Sequence, residues 1–260
     1  MAILLDGGVG TALIARGLKE TDVPERWLLD RLDEVVAVHR SHVRAGAEVV
    51  LTCTLNAHPP LLRPHGLHSF SGEIRRMAVH AARSAGAPRV YGVVGPLPPR
   101  MDPRQVEAFA EAAAADLAQA GADGLCLETI TTLEEGVARV RGAALTGLPL
   151  VASMVPGTPA ADDPMKACRE LMGAGATLIG ANCAPPAECM ALLGSMAGLD
   201  PSARWAKPSA GTPRHPVSPQ AWADGALRIA RMGVGWIGGC CGVDAAMLAA
   251  LKRGMGALMT

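Results

Sequence analysis

The segment Arg44-Ala45-Gly46-Ala47-Glu48-Val49-Val50-Leu51 contains the pattern on which the fold prediction rests. A helical stretch ends at a glycine, which suits the left-handed position after a helix C-terminus, and a short β-prone run follows at once. The same junction recurs at four further glycines, namely Gly86, Gly121, Gly175 and Gly233. The chain therefore repeats one helix-to-strand unit along its length.

Eight predicted strands emerge when the chain is followed outward from these junctions. Several of them are continuous apolar runs, which is typical of strands that are buried on both faces. The predicted strands are Ile3–Leu5, Glu48–Leu51, Arg89–Val94, Gly124–Leu127, Leu148–Met154, Thr177–Ile179, Ala203–Lys207 and Val234–Ile237. Eight parallel strands that alternate with helices over about 250 residues predict a single (β/α)8 TIM barrel domain, here assigned to residues 1–260.

An open, doubly wound sheet is the competing fold. The segment Asp6-Gly7-Gly8-Val9-Gly10 resembles the glycine-rich turn of dinucleotide-binding proteins. In that motif, however, the acidic residue comes about 20 residues after the glycines, whereas Asp6 precedes them and the next strand starts too late. We therefore prefer the barrel.

Composition and charge narrow the functional classes. The chain has 260 residues, half of them hydrophobic, and a formal net charge of zero. Without a basic run we expect no nucleic-acid partner. The apolar runs are shorter than the roughly 20 residues that a membrane span needs, so we expect no membrane association. No positively charged leader precedes the first strand, and we expect a cytoplasmic protein with reduced thiols.

Three of the seven cysteines follow predicted strands and have glycines close by. Cys183 follows the sixth strand, and Cys240 and Cys241 follow the eighth. Three thiolates can hold a soft ion such as zinc and leave a fourth position open for a substrate. The odd number of cysteines argues against a disulfide framework. The remaining four are interpreted as core residues: Cys53, Cys126, Cys168 and Cys189.

The carboxyl ends of the strands carry further polar residues, and in TIM barrels the active site forms there. Asp6 follows the first strand and Glu128 follows the fourth. Beside a metal ion the two carboxylates can bind an ammonium group, so an amino acid that carries a thiol would suit this site. The other candidate substrate-binding residues are Gly7, Gly8, Thr54, Asn182 and Ser209.

The histidines of segment 56–68 are not expected to be metal ligands. Prolines punctuate this segment, and turn-forming prolines are typical of a surface loop. We interpret the segment as a solvated, proline-rich loop that carries His58, His65 and His68.

With these motifs, the chain resembles the homocysteine S-methyltransferase family. These zinc-dependent barrels include betaine-homocysteine methyltransferase and the homocysteine domain of cobalamin-dependent methionine synthase. The resemblance covers essentially the whole chain and rests on residues 6–11, 52–57, 95–100, 128–130, 180–183 and 238–242. It implies that the zinc ligands are Cys183, Cys240 and Cys241, and that Asp6 and Glu128 hold the amino group of homocysteine.

The chain departs from the family pattern at a few positions. After the second strand, relatives commonly read Glu-Thr-Asn-Thr-Phe, whereas this chain has Leu51, Cys53 and Leu55 in place of Glu, Asn and Phe. Ser209 stands where some relatives have Asn. These departures concern the surroundings of the substrates and leave the three cysteines in place.

The resemblance implies methyl transfer to the thiol of homocysteine, which gives methionine. The D-x-H-x-x-G phrase of corrinoid-binding modules is absent. We therefore expect a sulfonium donor such as S-methylmethionine or S-adenosylmethionine. Two alternatives stay open. The chain could be the homocysteine-activating subunit of a split methionine synthase that works with a separate corrinoid protein, or a non-catalytic module that binds zinc or a thiol.

Overall fold

A barrel of eight parallel strands forms the centre of the molecule in the computed structural model, which describes residues 2–212 and 215–257. Leu5 bridges Val49 and so joins the two edge strands of the eight-stranded sheet. The barrel strands are β1 (Ile3–Leu4), β2 (Val49–Leu51), β3 (Arg89–Val93), β4 (Gly124–Ile130), β5 (Leu150–Met154), β6 (Leu178–Asn182), β7 (Arg204–Lys207) and β10 (Trp236–Ile237). The prediction of a (β/α)8 barrel is confirmed.

Helices connect the strands around the outside, and a short antiparallel hairpin, β8 (Gly211–Thr212) with β9 (His215–Pro216), follows β7. The described helices are α1 (Val9–Ile14), α2 (Trp27–Asp30), α3 (Leu32–Arg44), α4 (Pro59–Leu62), α5 (Ser71–Ser84), α6 (Pro103–Gln119), α7 (Leu133–Ala144), α8 (Pro164–Gly173), α9 (Pro186–Ser195), α10 (Pro219–Arg231) and α11 (Ala245–Ala257). Met1, residues 213–214 and residues 258–260 lie outside the described residues, so the domain bounds 1–260 stay a prediction.

The glycines at the repeated junctions have the conformation that the sequence predicts. Their φ angles are positive, at 102° for Gly46, 83° for Gly86, 93° for Gly121, 125° for Gly175 and 81° for Gly233. A residue with a Cβ atom adopts this left-handed backbone conformation only at an energetic cost, whereas glycine adopts it freely. Each glycine lets the chain leave its helix and turn directly into the next strand.

Alternate strand residues fill the inside of the barrel. This inner cluster contains Leu5, Val49, Leu51, Tyr91, Val93, Cys126, Val151, Trp205 and Trp236. The rings of Tyr91 and Trp236 meet edge to face with 5.0 Å between their centroids. The indole nitrogen of Trp205 donates a hydrogen bond of 2.9 Å to the carbonyl of Ala152. These side chains fill the inside of the barrel, so no open channel runs through it. A substrate site is therefore expected at the carboxyl ends of the strands.

The proline-rich segment 56–68 differs from the predicted solvated loop. Pro59 begins α4, because proline fits the first turn of a helix, where no backbone N–H is needed. His58 is only 1 % exposed, and its Nε2 atom donates a 3.1 Å hydrogen bond to the carbonyl of Gly95. Burial lowers the pKa of His58 to about 3, so its ring is neutral. The solvated-loop prediction is therefore wrong for His58.

Strand β4 gives a test of the packing between the barrel and its helices. Leu127 is fully buried, whereas Leu145, just after α7, is 68 % exposed. We expect Leu127→Ala to lower the free energy of unfolding by about 2–5 kcal/mol, because it removes buried methyl groups and leaves a cavity. The matched change Leu145→Ala is expected to cost less than about 0.5 kcal/mol. Urea denaturation measures both, and equal losses would contradict the burial described here.

Candidate active site

The sulfur atoms of Cys183, Cys240 and Cys241 form a cluster at the carboxyl end of the barrel. The Sγ atoms of Cys183 and Cys240 are 3.1 Å apart, and those of Cys240 and Cys241 are 3.9 Å apart. A tetrahedral zinc ion with Zn–S bonds of about 2.3 Å would place its sulfur ligands about 3.8 Å apart. The second distance agrees with such a site, whereas the first pair would have to separate by about 0.7 Å.

Three thiols are ligands that zinc prefers, but the distances between their sulfur atoms do not yet match a tetrahedral zinc site. Within residues 2–212 and 215–257, no group of three or more His, Cys, Asp or Glu side chains is already arranged as a metal site. The three thiols are nevertheless accessible, since Cys183 and Cys240 are half-buried and Cys241 is exposed. The four cysteines interpreted as core residues are all buried.

Close backbone approaches hold the two adjacent cysteines against the end of β1. The amide of Gly239 donates to the carbonyl of Asp6 at 2.9 Å, and the amide of Cys240 donates to the carbonyl of Pro208 at 3.0 Å. A Cβ atom on Gly8 would lie 2.5 Å from the carbonyl oxygen of Cys240. Gly8 is therefore needed as a glycine because the backbone after β10 passes directly over it.

The thiols influence one another strongly. Hydrogen bonds from Cys183 and Cys240 lower the pKa of the Cys241 thiol. The hydrogen bond with Cys240 raises the pKa of Cys183, and burial adds to this effect. Cys241 is therefore the member of the cluster whose deprotonated form, the form that a metal cation binds, is favoured most.

Asn182, the last residue of β6, connects the thiols to the neighbouring strands. Its Nδ2 atom lies 3.4 Å from Oε2 of Glu128, 2.9 Å from Oγ1 of Thr129 and 3.3 Å from Sγ of Cys183. Its Oδ1 atom accepts hydrogen bonds from the amide of Thr129 at 3.2 Å and from the hydroxyl of Ser153 at 3.0 Å. Asn182 is fully buried, so it orients its neighbours from behind the cavity wall.

Glu128 lies within β4, because this strand runs three residues further than predicted. The pairing of β4 with β5 shifts between Leu127 and Ile130, and Thr129 has a positive φ of 66°. The irregularity turns the half-buried Glu128 side chain toward the cavity. Burial raises the pKa of Glu128 to about 7, although the nearby Lys207 acts to lower it.

Lys207 is a site residue that the sequence analysis missed. Its Nζ atom donates to Oδ1 of Asp6 at 2.9 Å, and both side chains are almost completely buried. Burial opposes the charge, but the carboxylates of Asp6 and Glu128 raise the pKa of Lys207. Lys207 is the last residue of β7 itself, whereas the predicted site residues are those that follow each predicted strand. The strand-end rule, by which site residues of a TIM barrel lie at the carboxyl ends of its strands, also identifies Lys207 if the last residue of each strand is counted.

One cavity of about 140 Å³ adjoins these groups. Of the predicted site residues, it is lined by Asp6, Gly7, Gly8, Thr54, Glu128, Cys240 and Cys241. Lys207 and Glu25 line it as well. The residues that depart from the family pattern, Leu51, Cys53 and Leu55, form an apolar part of its wall.

Asn182, Cys183 and Ser209 are not part of this lining. Ser209 supports the cysteine loop, since its hydroxyl donates to the carbonyl of Cys241 and accepts from the amide of Gly211, both at 3.1 Å. Thr54 supports β3, since its hydroxyl donates to the carbonyl of Val93 at 2.7 Å.

Comparison with known proteins agrees with this arrangement. The family model described as homocysteine S-methyltransferase matches residues 3–255. The chain belongs to the homocysteine S-methyltransferase family. It is therefore an enzyme of the methyltransferase class, and the resemblance inferred from the motifs is confirmed.

Solved structures give the same family and the same barrel. The homocysteine methyltransferase MmuM from Escherichia coli, in its metallated form, is 26% identical, with a TM-score of 0.82 over 97% of this chain and 96% of that chain. Its oxidized form is 25% identical, with a TM-score of 0.86 over 97% of this chain and 95% of that chain. The 3-hexulose-6-phosphate synthase of Salmonella typhimurium, 14% identical with a TM-score of 0.55 over 99% of each chain, shares the fold alone.

The described helices of this family member also bear on the membrane expectation. Over residues 2–212 and 215–257, none of them combines the length and the apolar character that crossing a bilayer requires.

The buried ion pair of Asp6 and Lys207 leads to a prediction about stability. Asp6→Asn and Lys207→Met each leave a buried charge without its partner, and we expect each to lower the free energy of unfolding by about 3–5 kcal/mol. The double variant should lose at least about 1 kcal/mol less than the sum, because no unpaired charge is left.

Urea denaturation of the unmodified chain, the two single variants and the double variant measures these free energies of unfolding. Lys252→Met is a matched control, since Lys252 forms a 2.8 Å ion pair with Glu48 that is partly exposed. Exposed pairs contribute about 0–1 kcal/mol, so the control should unfold almost like the unmodified chain. Strict additivity of the two buried changes would show that the charges do not interact.

Proposed function

We propose that this family member transfers a methyl group to the sulfur of homocysteine, giving methionine, with a zinc ion held by Cys183, Cys240 and Cys241. The observation that carries the proposal is the sulfur cluster of the three cysteines, two of which, Cys240 and Cys241, line the same cavity as Glu128, Asp6 and Lys207. The E. coli relative is described as a homocysteine methyltransferase and is known in a metallated form, which supports catalysis over mere binding.

The metal would sit at the sulfur cluster. When bound, zinc supplies a positive charge that stabilises a deprotonated thiol at neutral pH, and the thiolate is the reactive nucleophile. Three cysteine ligands leave one position for the substrate thiol. Two of the proposed ligands are held in place by other contacts. Asn182 donates a hydrogen bond to the sulfur of Cys183, and backbone hydrogen bonds position Cys240.

The charged groups of the cavity suit the rest of an amino acid. Asp6 and Glu128 are the carboxylates proposed for the ammonium group, and both line the cavity. Glu128 is the better placed of the two. Its carboxylate receives one long hydrogen bond, 3.4 Å from Asn182, whereas both oxygens of Asp6 are engaged at 2.9 Å by Lys207 and the amide of Leu51.

The chemical step is a displacement at the methyl carbon. The thiolate sulfur of homocysteine forms the new S–C bond with its electron pair as the bond between the methyl carbon and the donor's leaving atom breaks. With a sulfonium donor the leaving group is a neutral thioether, so no proton has to be supplied. The task of the chain is then to hold the two substrates in line and to exclude water. The apolar wall of Leu51, Cys53 and Leu55 suits a thioether.

The proposed metal site can be tested by elemental analysis. We expect the purified chain to carry one tightly bound zinc, and the variant with Ser at positions 183, 240 and 241 to carry none, because a neutral hydroxyl replaces each thiolate ligand. Cys189→Ser is the matched control, since Cys189 is buried outside the cluster, and it should keep its zinc. Unchanged zinc in the triple variant would place the metal elsewhere.

The donor can be tested by turnover. We expect the zinc-loaded chain to form methionine from homocysteine and S-methylmethionine or S-adenosylmethionine without added cobalamin or folate, because a sulfonium carries its own good leaving group. Product formation is followed by mass spectrometry with a labelled methyl group. The triple cysteine variant is the control and should be inactive.

The opposite result has a clear reading. If sulfonium donors fail and a methylated corrinoid protein succeeds, the chain is the acceptor half of a split methionine synthase. If homocysteine binds but no donor reacts, methyl transfer to homocysteine is not the function of this site.

A further inference from the structure

Lys207 presents a positive charge at a cavity that is otherwise lined by acids and thiols. Its Nζ atom has three N–H groups and makes one hydrogen bond among the described residues, to Asp6 at 2.9 Å. Lys207 also lines the cavity. A buried ammonium that has unused N–H donors beside a substrate cavity can bind an anionic group of the substrate.

The position of Lys207 changes what Asp6 can do. One oxygen of Asp6 accepts from Lys207 and the other accepts from the amide of Leu51. A substrate ammonium placed on Asp6 would lie next to the ammonium of Lys207, and like charges at such a distance repel each other strongly in a buried site. Asp6 therefore suits the task of holding Lys207 better than that of holding the substrate directly.

Glu128 offers the opposite charge in the same cavity. Its carboxylate and the ammonium of Lys207 both line the space next to Cys240 and Cys241. The two groups are close enough that the charge of Glu128 raises the pKa of Lys207. A negative and a positive group beside a thiol cluster match the ammonium, the carboxylate and the sulfur of a zwitterionic amino acid.

We propose that Lys207 binds the α-carboxylate of the acceptor amino acid, with Glu128 on its ammonium group and Asp6 positioning the Lys207 side chain. The inference rests on the proposed function in that it takes the acceptor to be an amino acid that carries sulfur. It makes Lys207 a specificity residue. The site accepts thiols with a free α-carboxylate and discriminates against their amides, esters and decarboxylated analogues.

Three ligands without a free thiol separate this role from metal binding. Methionine carries both charged groups, 3-(methylthio)propylamine lacks the carboxylate, and 4-(methylthio)butanoate lacks the ammonium. Their affinities are measured by titration calorimetry with the 260-residue chain, with Lys207→Met and Glu128→Gln, and with the control Lys252→Met. Lys252 pairs with Glu48 outside the cavity, so its change tests the loss of a lysine as such.

The expected result is a loss of selectivity and not a general loss of binding. The unmodified chain should prefer methionine over the propylamine by about 10- to 100-fold, the effect of one charge-assisted hydrogen bond. Lys207→Met should abolish that preference without weakening the binding of the propylamine, because the propylamine has no carboxylate for Lys207 to bind and its ammonium is repelled by Lys207. Glu128→Gln should instead abolish the preference of methionine over the butanoate. Lys207→Gln repeats the test with a neutral donor if the Met variant is too unstable.

Other outcomes overturn the inference. If Lys207→Met weakens all three ligands equally, Lys207 only supports the fold. If the unmodified chain binds methionine and the propylamine equally well, no residue of the cavity recognises the carboxylate. Failure of the proposed function looks different, because the chain would then select methionine through Lys207 and yet not methylate homocysteine with any donor.

Discussion

The carboxylate of Asp6 is the contact on which the mouth of the barrel depends. Its side chain binds Lys207 at the end of β7 and the amide of Leu51 in β2, while its backbone carbonyl binds the amide of Gly239 after β10. One residue after β1 thus ties three other strands together. Because the carboxylate is fully buried, its charge has to be met by these partners, and this requirement sets the arrangement of the strand ends.

The sulfur cluster depends on backbone conformations that are unfavourable in isolation. Thr129 and Cys183 both have a positive φ, at 66° and 58°, and neither is a glycine. Such conformations persist only where the surroundings enforce them, and they concentrate at functional sites. Asn182 provides the enforcement here, since it bonds to the amide of Thr129 and to the sulfur of Cys183. These contacts keep Cys183 in a backbone conformation that places its sulfur next to that of Cys240.

Two walls of different character adjoin the cavity. Glu128 and Lys207 form a charged side, whereas Leu51, Cys53 and Leu55 form an apolar side, at positions where relatives commonly carry Glu, Asn and Phe. A charged side suits the zwitterionic end of an amino acid, and an apolar side suits a methyl group and a departing thioether. The departures from the family pattern therefore lie on the apolar side of the cavity and leave the three cysteines in place.

The sequence alone determined the barrel and the place where most of the candidate site residues meet, because both follow from local patterns. The glycine junctions encode where each helix stops, and the strand-end rule then places residues such as Cys183, Cys240 and Glu128 at one mouth. Only the tertiary structure decided which charges meet there. Lys207 and Asp6 are separated by 201 positions, and His58 is buried against Gly95 of another strand end. No local preference encodes such pairings, since they arise when barrel closure removes distant side chains from water together.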